Sequence, residues 1–229
     1  MYQSFGYILN RRPFRDTSLL LDIFTEDFGR ICCVARPAKK RGKVVKGNTE
    51  PFRYLHLQWI GKGDVQTLVE ADERGRHQIP PSELMMGLYL NELLLMLTQQ
   101  HVSQSELFSA YKYTLHKLGD TQINRQILMR FEVYLLHILG FPVDNAELSQ
   151  DVIDQNMKYQ FTSEEGLTEI DMNHPVSSQT PIIDAKLLHA IQDMQSMDVE
   201  CWTELRPFLD KVFSNLTPRV INTRKLLNL

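Results

Sequence analysis

Two groups of residues in this chain have types and spacings that could do chemistry. The first is a basic run. Between residues 30 and 62, nine cationic side chains (Arg30, Arg36, Lys39, Lys40, Arg41, Lys43, Lys46, Arg53 and Lys62) stand against a single acid, Glu50. Lysine and arginine at this density displace counterions from a phosphate backbone, giving affinity that depends on salt and is largely blind to sequence. Arg36, Lys39, Lys40, Arg41, Lys43, Lys46 and Arg53 are therefore the candidate phosphate contacts. Phe52, Tyr54 and Trp59 lie beside them; exposed, they would stack on bases, and buried, they would fill a core. The second group surrounds Arg130. Ile123, Ile127, Arg130, Tyr134 and Ile138 recur at three or four residues, so they share one helical stripe. A cation inside an apolar stripe is unfavourable unless it is paired or reaches water. It can receive a peptide carrying both acidic and apolar groups, or it can close an ion pair with an acid from another helix.

The elements that must position these residues follow from periodicity. The 229 residues are 43% hydrophobic and 23% charged, which excludes wholesale disorder and allows a sizeable core. The formal charge of −3 hides a division: residues 1–80 carry 14 Lys/Arg against 9 Asp/Glu, a net of +5, and residues 81–229 a net of −8. The first eighty residues read as five strands at about 4–10, 17–24, 30–35, 51–60 and 64–70, with a long basic loop over about 37–50. That count suggests a small antiparallel barrel, whose five-stranded form is the oligonucleotide/oligosaccharide-binding (OB) fold.

At Pro80-Pro81 the period changes from 2 to 3.6. Ser82 is the expected cap of a helix from Glu83, and Ser103-Gln104-Ser105-Glu106 has a capping-box pattern ahead of Leu107, Phe108, Tyr111, Leu115 and Leu118. A third helix is expected from about Thr121 to Leu139, stopped by Gly140. Residues 144–181 are mixed and polar, with room for a hairpin at 158–161 and 166–170; helices follow at about 184–195 and 201–214. The predicted fold class is α+β: domain 1–80, the barrel, then domain 81–229, helical with a small β-hairpin insertion.

Other chemistry finds no support. Phosphate-loop, GxGxxG, GxSxG and HExxH patterns are missing, the seven histidines are scattered, and Cys32 and Cys33 would point to opposite faces of a strand. Asp144, Glu147, Asp151 and Asp154 read as a solvated acidic loop rather than a cation site. The expectations are no catalytic residues, no metal and no cofactor. Three cysteines without a framework, no signal-peptide layout, and a longest apolar stretch of only 14 residues (Leu84 to Leu97) predict a cytoplasmic protein without membrane contact.

Longer motifs carry a resemblance. RRPFRDTSLLLDIFTEDFGR, the basic segment, PF, and GKGDVQTL are followed by GLYLNELL, SELFSAYKYTLHKL, RFEVYLLHILGFPVD, MKYQFTSEEG and LTPRVINTRKLL. Together these closely resemble the bacterial RecO family of recombination mediators. The resemblance implies an OB barrel, a helical C-terminal domain, and a non-enzymatic, nucleoid-associated role in recombinational repair. It implies binding to single- and double-stranded DNA, annealing of complementary strands, work with RecR, and contact with the acidic C-terminal tail of single-stranded-DNA-binding protein, which helps load RecA. Arg130 matches an arginine that family members use to receive that tail, with Phe131, Leu135 and Leu139 beside it. Some members hold zinc with four cysteines where this chain has Asp144 to Phe161; no cysteine stands there, so no zinc is expected. The competing reading is an OB-fold RNA-binding protein, since the fold alone does not select the ligand.

Overall fold

A computed structural model gives the fold, and it describes residues 1–15, 17–36, 49–119, 126–143, 157–170, 177–195 and 197–227. The chain forms two compact units, Met1–Ile123 with Asn222–Leu227, and Asn124–Ile221 with Asn228–Leu229.

In the first unit five strands close a barrel: β1 (Tyr2–Phe14), β2 (Ser18–Thr25), β3 (Gly29–Ala35), β4 (Arg53–Ile60) and β5 (Gln66–Arg76). The strand order is β1-β2-β3-β5-β4, with β4 returning to β1. This is the OB-type barrel that the strand count implies; only the expectation of antiparallel pairing throughout is corrected, because closing five strands leaves one parallel pair, β3 with β5, over Cys33–Ala35 against Gln66–Leu68. Alternation along the strands sends Ile8, Leu21, Ile23, Ile31, Cys33, Leu55, Leu57, Trp59 and Leu68 inward, where they form one apolar core. Trp59 is only 1% exposed, so its ring belongs to that core. Phe52 is buried too. Tyr54 is partly covered: Phe5 stacks on it at 5.0 Å and the Lys112 ammonium lies 3.9 Å from its ring centre.

Two helices, α1 (Leu84–Leu97) and α2 (Ser105–Leu118), complete this unit. The change from strand to helix falls between Arg76 and Leu84. Tyr7 and Phe24 on the outer barrel surface meet Phe108 and Tyr111 of α2 at ring separations of 5.3–6.1 Å. The three non-apolar residues of α1 each have a structural task. Gly87 lets the Phe52 ring approach, since a β-carbon there would lie 2.8 Å from it. Asn91 Nδ2 donates to Leu9 O at 2.9 Å, and its Oδ1 accepts from the Tyr111 hydroxyl. Glu92 accepts from the Asn222 and Thr223 amides at 3.0 and 2.8 Å, anchoring the short 3-10 turn Thr223–Leu226.

Neither predicted serine cap forms. Glu83 precedes α1 and Gln104 precedes α2, and neither makes a side-chain capping bond. The chain enters α1 through a turn in which Glu83 N donates to Pro80 O at 2.9 Å. At α2 the box is one residue out of register, because Gln104 rather than Ser103 occupies the capping position.

The second unit contains α3 (Gln126–Ile138), β6 (Lys158–Thr162), β7 (Gly166–Glu169), β8 (Ile182–Asp184), α4 (Ala185–Gln192) and α5 (Val199–Leu216). The expected hairpin is β6–β7. It gains a third strand, β8, that alternation did not reveal in three residues, and the sheet order is β7-β6-β8. Gly140 takes φ +84 just beyond α3, the left-handed end that glycine permits. Helices α4 and α5 are capped by Asp184 and Asp198, which accept from Leu187 N and Cys201 N at 2.8 Å each.

Candidate nucleic-acid interface and peptide groove

Of the predicted phosphate contacts, Lys39, Lys40, Arg41, Lys43 and Lys46 lie outside the described residues, as does the acidic group Asp144, Glu147, Asp151 and Asp154. Arg36 is exposed just past the end of β3. Arg53 is not an open cation: it pairs with Glu73, which Arg76 also meets at 3.1 Å. Hydrogen bonds from Arg76 first, and then from Arg53, hold the Glu73 carboxyl below its usual range.

The barrel register adds cations that the sequence reading did not single out. Pro13, Leu19 and Ala35 lie across from one another on β1, β2 and β3. Arg11, Arg12 and Arg15 are therefore exposed at the end of the barrel where Arg36 leaves it. Arg11 is partnered by Glu50 at 2.6 Å. The RRPFR spacing could have shown this, because its three arginines cluster around the end of β1, beside the turn into β2.

The cysteines are buried free thiols. Burial, followed by the neighbouring Cys32, pushes the Cys33 thiol up to about 12, and burial also raises Cys32; both are inert packing residues. Two of the scattered histidines meet: His77 and His116 have ring centres 6.5 Å apart. Among the described residues no three His, Cys, Asp or Glu side chains gather in a way that could hold a metal ion.

In the second unit, α3 divides its residues as a helix must at about 100° per residue. Leu128, Phe131, Leu135 and Leu136 are buried, while Ile127, Arg130, Tyr134, Ile138 and Leu139 are partly exposed. Arg130 Nη2 donates to Met194 O at 2.8 Å, and its guanidinium carbon lies 5.7 Å from the Trp202 ring centre. Its Nε is buried without a hydrogen-bond partner. This guanidinium opens on a cavity of about 470 Å³, walled by Val133, Tyr134 and His137 from α3 and by residues 191–195 at the end of α4 and just beyond it. Phe131 and Leu135 support the helix from its core side and do not line the cavity; neither does Leu139.

The internal ion pair weighed for Arg130 exists, but two residues further along. Glu132, fully buried, accepts from Arg206 Nη1 of α5 at 2.6 Å, and Arg206 Nη2 meets Asp210 at 2.8 Å. Arg206 and Asp210 carry an i,i+4 signal in the sequence. The Glu132 partnership, across 74 residues, carries none.

A closed five-stranded barrel followed by a helical unit with a cation-bearing groove defines an OB-barrel protein. Two family models match the chain, Recombination protein O N terminal over residues 1–73 and Recombination protein O C terminal over residues 81–153. The chain is 35% identical over 166 residues to the DNA repair protein RecO of Actinobacillus succinogenes, covering 71% of this chain and 70% of that one. It is 39% identical over 168 residues to the RecO of Sodalis glossinidius (71% and 64%), and 34% identical over 193 residues to that of Cupriavidus metallidurans (82% and 64%). The chain belongs to the RecO family and has a role in DNA repair. The matches span about two thirds of those relatives' own lengths. Among the described residues no helix is long and apolar enough to cross a membrane.

Proposed function

We propose that this protein is a non-enzymatic recombination mediator of the cytoplasm and nucleoid. It binds single- and double-stranded DNA through its barrel, anneals complementary strands, and docks the acidic C-terminal tail of single-stranded-DNA-binding protein on the helical unit. With RecR it helps load RecA onto coated DNA. The observation that carries this reading is the Arg130 groove. A guanidinium with a buried, unpartnered Nε opens on a cavity walled by Val133, Tyr134 and Ile191, which suits a peptide ending in apolar residues and carboxylates. Phe131, Leu135 and Leu139 set the helix that presents it.

On the barrel, Arg36 and the basic residues Lys39, Lys40, Arg41, Lys43 and Lys46 neutralise phosphates on two strands, so that complementary bases meet against less repulsion. Arg53 contributes after exchange from Glu73. Because both activities reside on one chain, tail docking raises the effective concentration of the barrel at coated DNA.

The test is a titration with an acidic tail peptide. Arg130→Ala should weaken binding by about 1–3 kcal/mol, the scale of a charge-assisted hydrogen bond. An unchanged titration removes Arg130 from the site. Replacing Lys39, Lys40, Arg41 and Lys43 by Ala should abolish annealing of bare strands at moderate salt; annealing that survives refutes the barrel's part. An RNA-binding OB protein has no use for the tail peptide, so the same titration separates the two readings.

A further inference from the structure

The barrel has a second feature at the end where β2 turns into β3 and β4 turns into β5. Tyr2, Phe28, Ile31, Trp59, Gln66 and His101 enclose a cavity of about 200 Å³. Three of the six walls are aromatic. Tyr2 and Trp59 are near-parallel, with ring centres 6.0 Å apart, and Phe28 stands edge-on to both at 5.7 and 5.3 Å. Tyr2 is 39% exposed and forms the outer wall, while Trp59 forms the floor.

One polar group in this aromatic box is unsatisfied. Gln66 is 8% exposed, and its Oε1 has no hydrogen-bond partner. A buried carbonyl left without a donor costs about 1–3 kcal/mol. It therefore marks a place where a donor is expected.

The remaining wall is held firmly. His101 sits at φ +62, an uncommon conformation for a residue with a β-carbon. It is fixed there because His101 N donates to Arg30 O at 2.9 Å and Arg30 Nη2 donates to Thr98 O at 2.9 Å. Gly29, at φ +63, packs against Val102 so closely that no side chain fits. The segment 98–103 is thereby fastened to the start of β3, and the cavity exists before any ligand arrives.

Size and chemistry narrow the occupant. The volume is equivalent to about seven waters and falls below the drug-sized range of about 300 Å³ and upward. An aliphatic side chain would fill it and leave Gln66 unpaired. A planar ring with an N–H on its edge would stack against Tyr2 and satisfy Gln66 at once.

We propose that this cavity receives one unpaired nucleobase of a single DNA strand, stacked on Tyr2 and hydrogen-bonded through a ring or exocyclic N–H to Gln66 Oε1. The inference rests on the proposed DNA binding and extends it, since it adds base contact to phosphate contact. Every base offers a stacking face, so the site tolerates sequence. The adjoining turn carries both Lys62 and Asp64, which offset each other, so the contribution of this site is insensitive to salt.

The test uses the full chain with Trp202→Phe, which leaves Trp59 as the only tryptophan. Its emission is titrated with a fifteen-residue oligothymidylate and with an abasic strand of equal length. Quenching by the thymidylate alone is expected. Gln66→Leu should weaken thymidylate binding about three- to tenfold, and Tyr2→Ala about tenfold, with abasic binding and the salt slope unchanged. Gln66→Leu removes an unsatisfied buried group, so its melting temperature should hold or rise; a merely structural glutamine would give no binding defect. If both strands bind but neither quenches Trp59, and both variants bind normally, the cavity is a water pocket and the proposal falls while DNA binding stands. If neither strand binds, the DNA-binding reading itself fails and the base site falls with it.

Discussion

Removing Arg206 should destabilise the helical unit more than almost any other single change, and the structure indicates by how much. Its Nη1 is 2.6 Å from Glu132 Oε2, the Glu132 side chain is fully buried, and the Arg206 side chain is 9% exposed. Both charges have left water, and the Glu132 carboxylate is offset chiefly by this guanidinium, which Asp210 also meets. Arg206→Met keeps most of the side-chain bulk but strands the Glu132 carboxylate, a loss of about 3–5 kcal/mol. Most of that cost is the buried Glu132 charge without its guanidinium, so Glu132→Gln added to Arg206→Met should recover most of it. Urea unfolding followed by Trp202 emission in a Trp59→Phe background reports on this unit, because Trp202 lies one helical turn before Arg206 on α5. A single variant within about 1 kcal/mol of its parent, below the cost expected for a stranded buried charge, would refute the reasoning. So would a double variant no more stable than Arg206→Met alone. A buried Glu132 charge without its guanidinium would also disturb the packing of α3 on the helix that carries Trp202, so tail-peptide affinity should fall with Arg206→Met and return in the double variant, which buries no such charge.

Three further outcomes follow from the packing. Burial first, and then His116 and Lys112, hold the His77 imidazole down to about 4, with its Nε2 2.9 Å from the Tyr7 hydroxyl. The folded ring thus stays neutral where the unfolded chain takes up a proton. Stability present above about pH 6.5 is lost as the pH falls toward 4, by about 1 kcal/mol once solvent screening is allowed for; melting temperatures across that range should decline more steeply than in His77→Gln. Asp184→Ala should cost about 1 kcal/mol in a thermal melt by uncapping α4, whereas Ser82→Ala and Ser103→Ala should stay within about 0.5 kcal/mol. Gly87→Ala should cost about 1–3 kcal/mol by pressing on the Phe52 ring, and adding Phe52→Leu should relieve it; a fully additive double variant would exclude that contact.

How much of this was legible depends on how local each cause is. The five strands could be read from alternation, and the buried face of α2 (Leu107, Phe108, Tyr111, Leu115 and Leu118) from its 3.6 period, because both patterns are written within a few turns of chain. The parallel pairing of β3 with β5 could not, since it depends on closing a circle of five strands rather than on any hairpin. The serine caps fail for a related reason: hydroxyls stand at plausible positions, but each helix starts one residue later than the pattern suggests, so Glu83 and Gln104 occupy the capping positions.

The sharpest case is on α3. Arg130 and Glu132 both sit among apolar neighbours, and periodicity alone marks either one as a charge that needs explaining. At two residues' separation they point about 200° apart, so only one can face the core. Which one is decided by α5, whose Arg206 lies on the Glu132 side and whose Trp202 lies against Arg130. With the acid of α3 already matched by Arg206, no carboxylate of its own unit is needed to keep Arg130 in place; Met194 O and the Trp202 face hold it instead. The buried pair and the open guanidinium are two consequences of one helix contact. That contact is why the guanidinium of Arg130 faces the groove instead of the core.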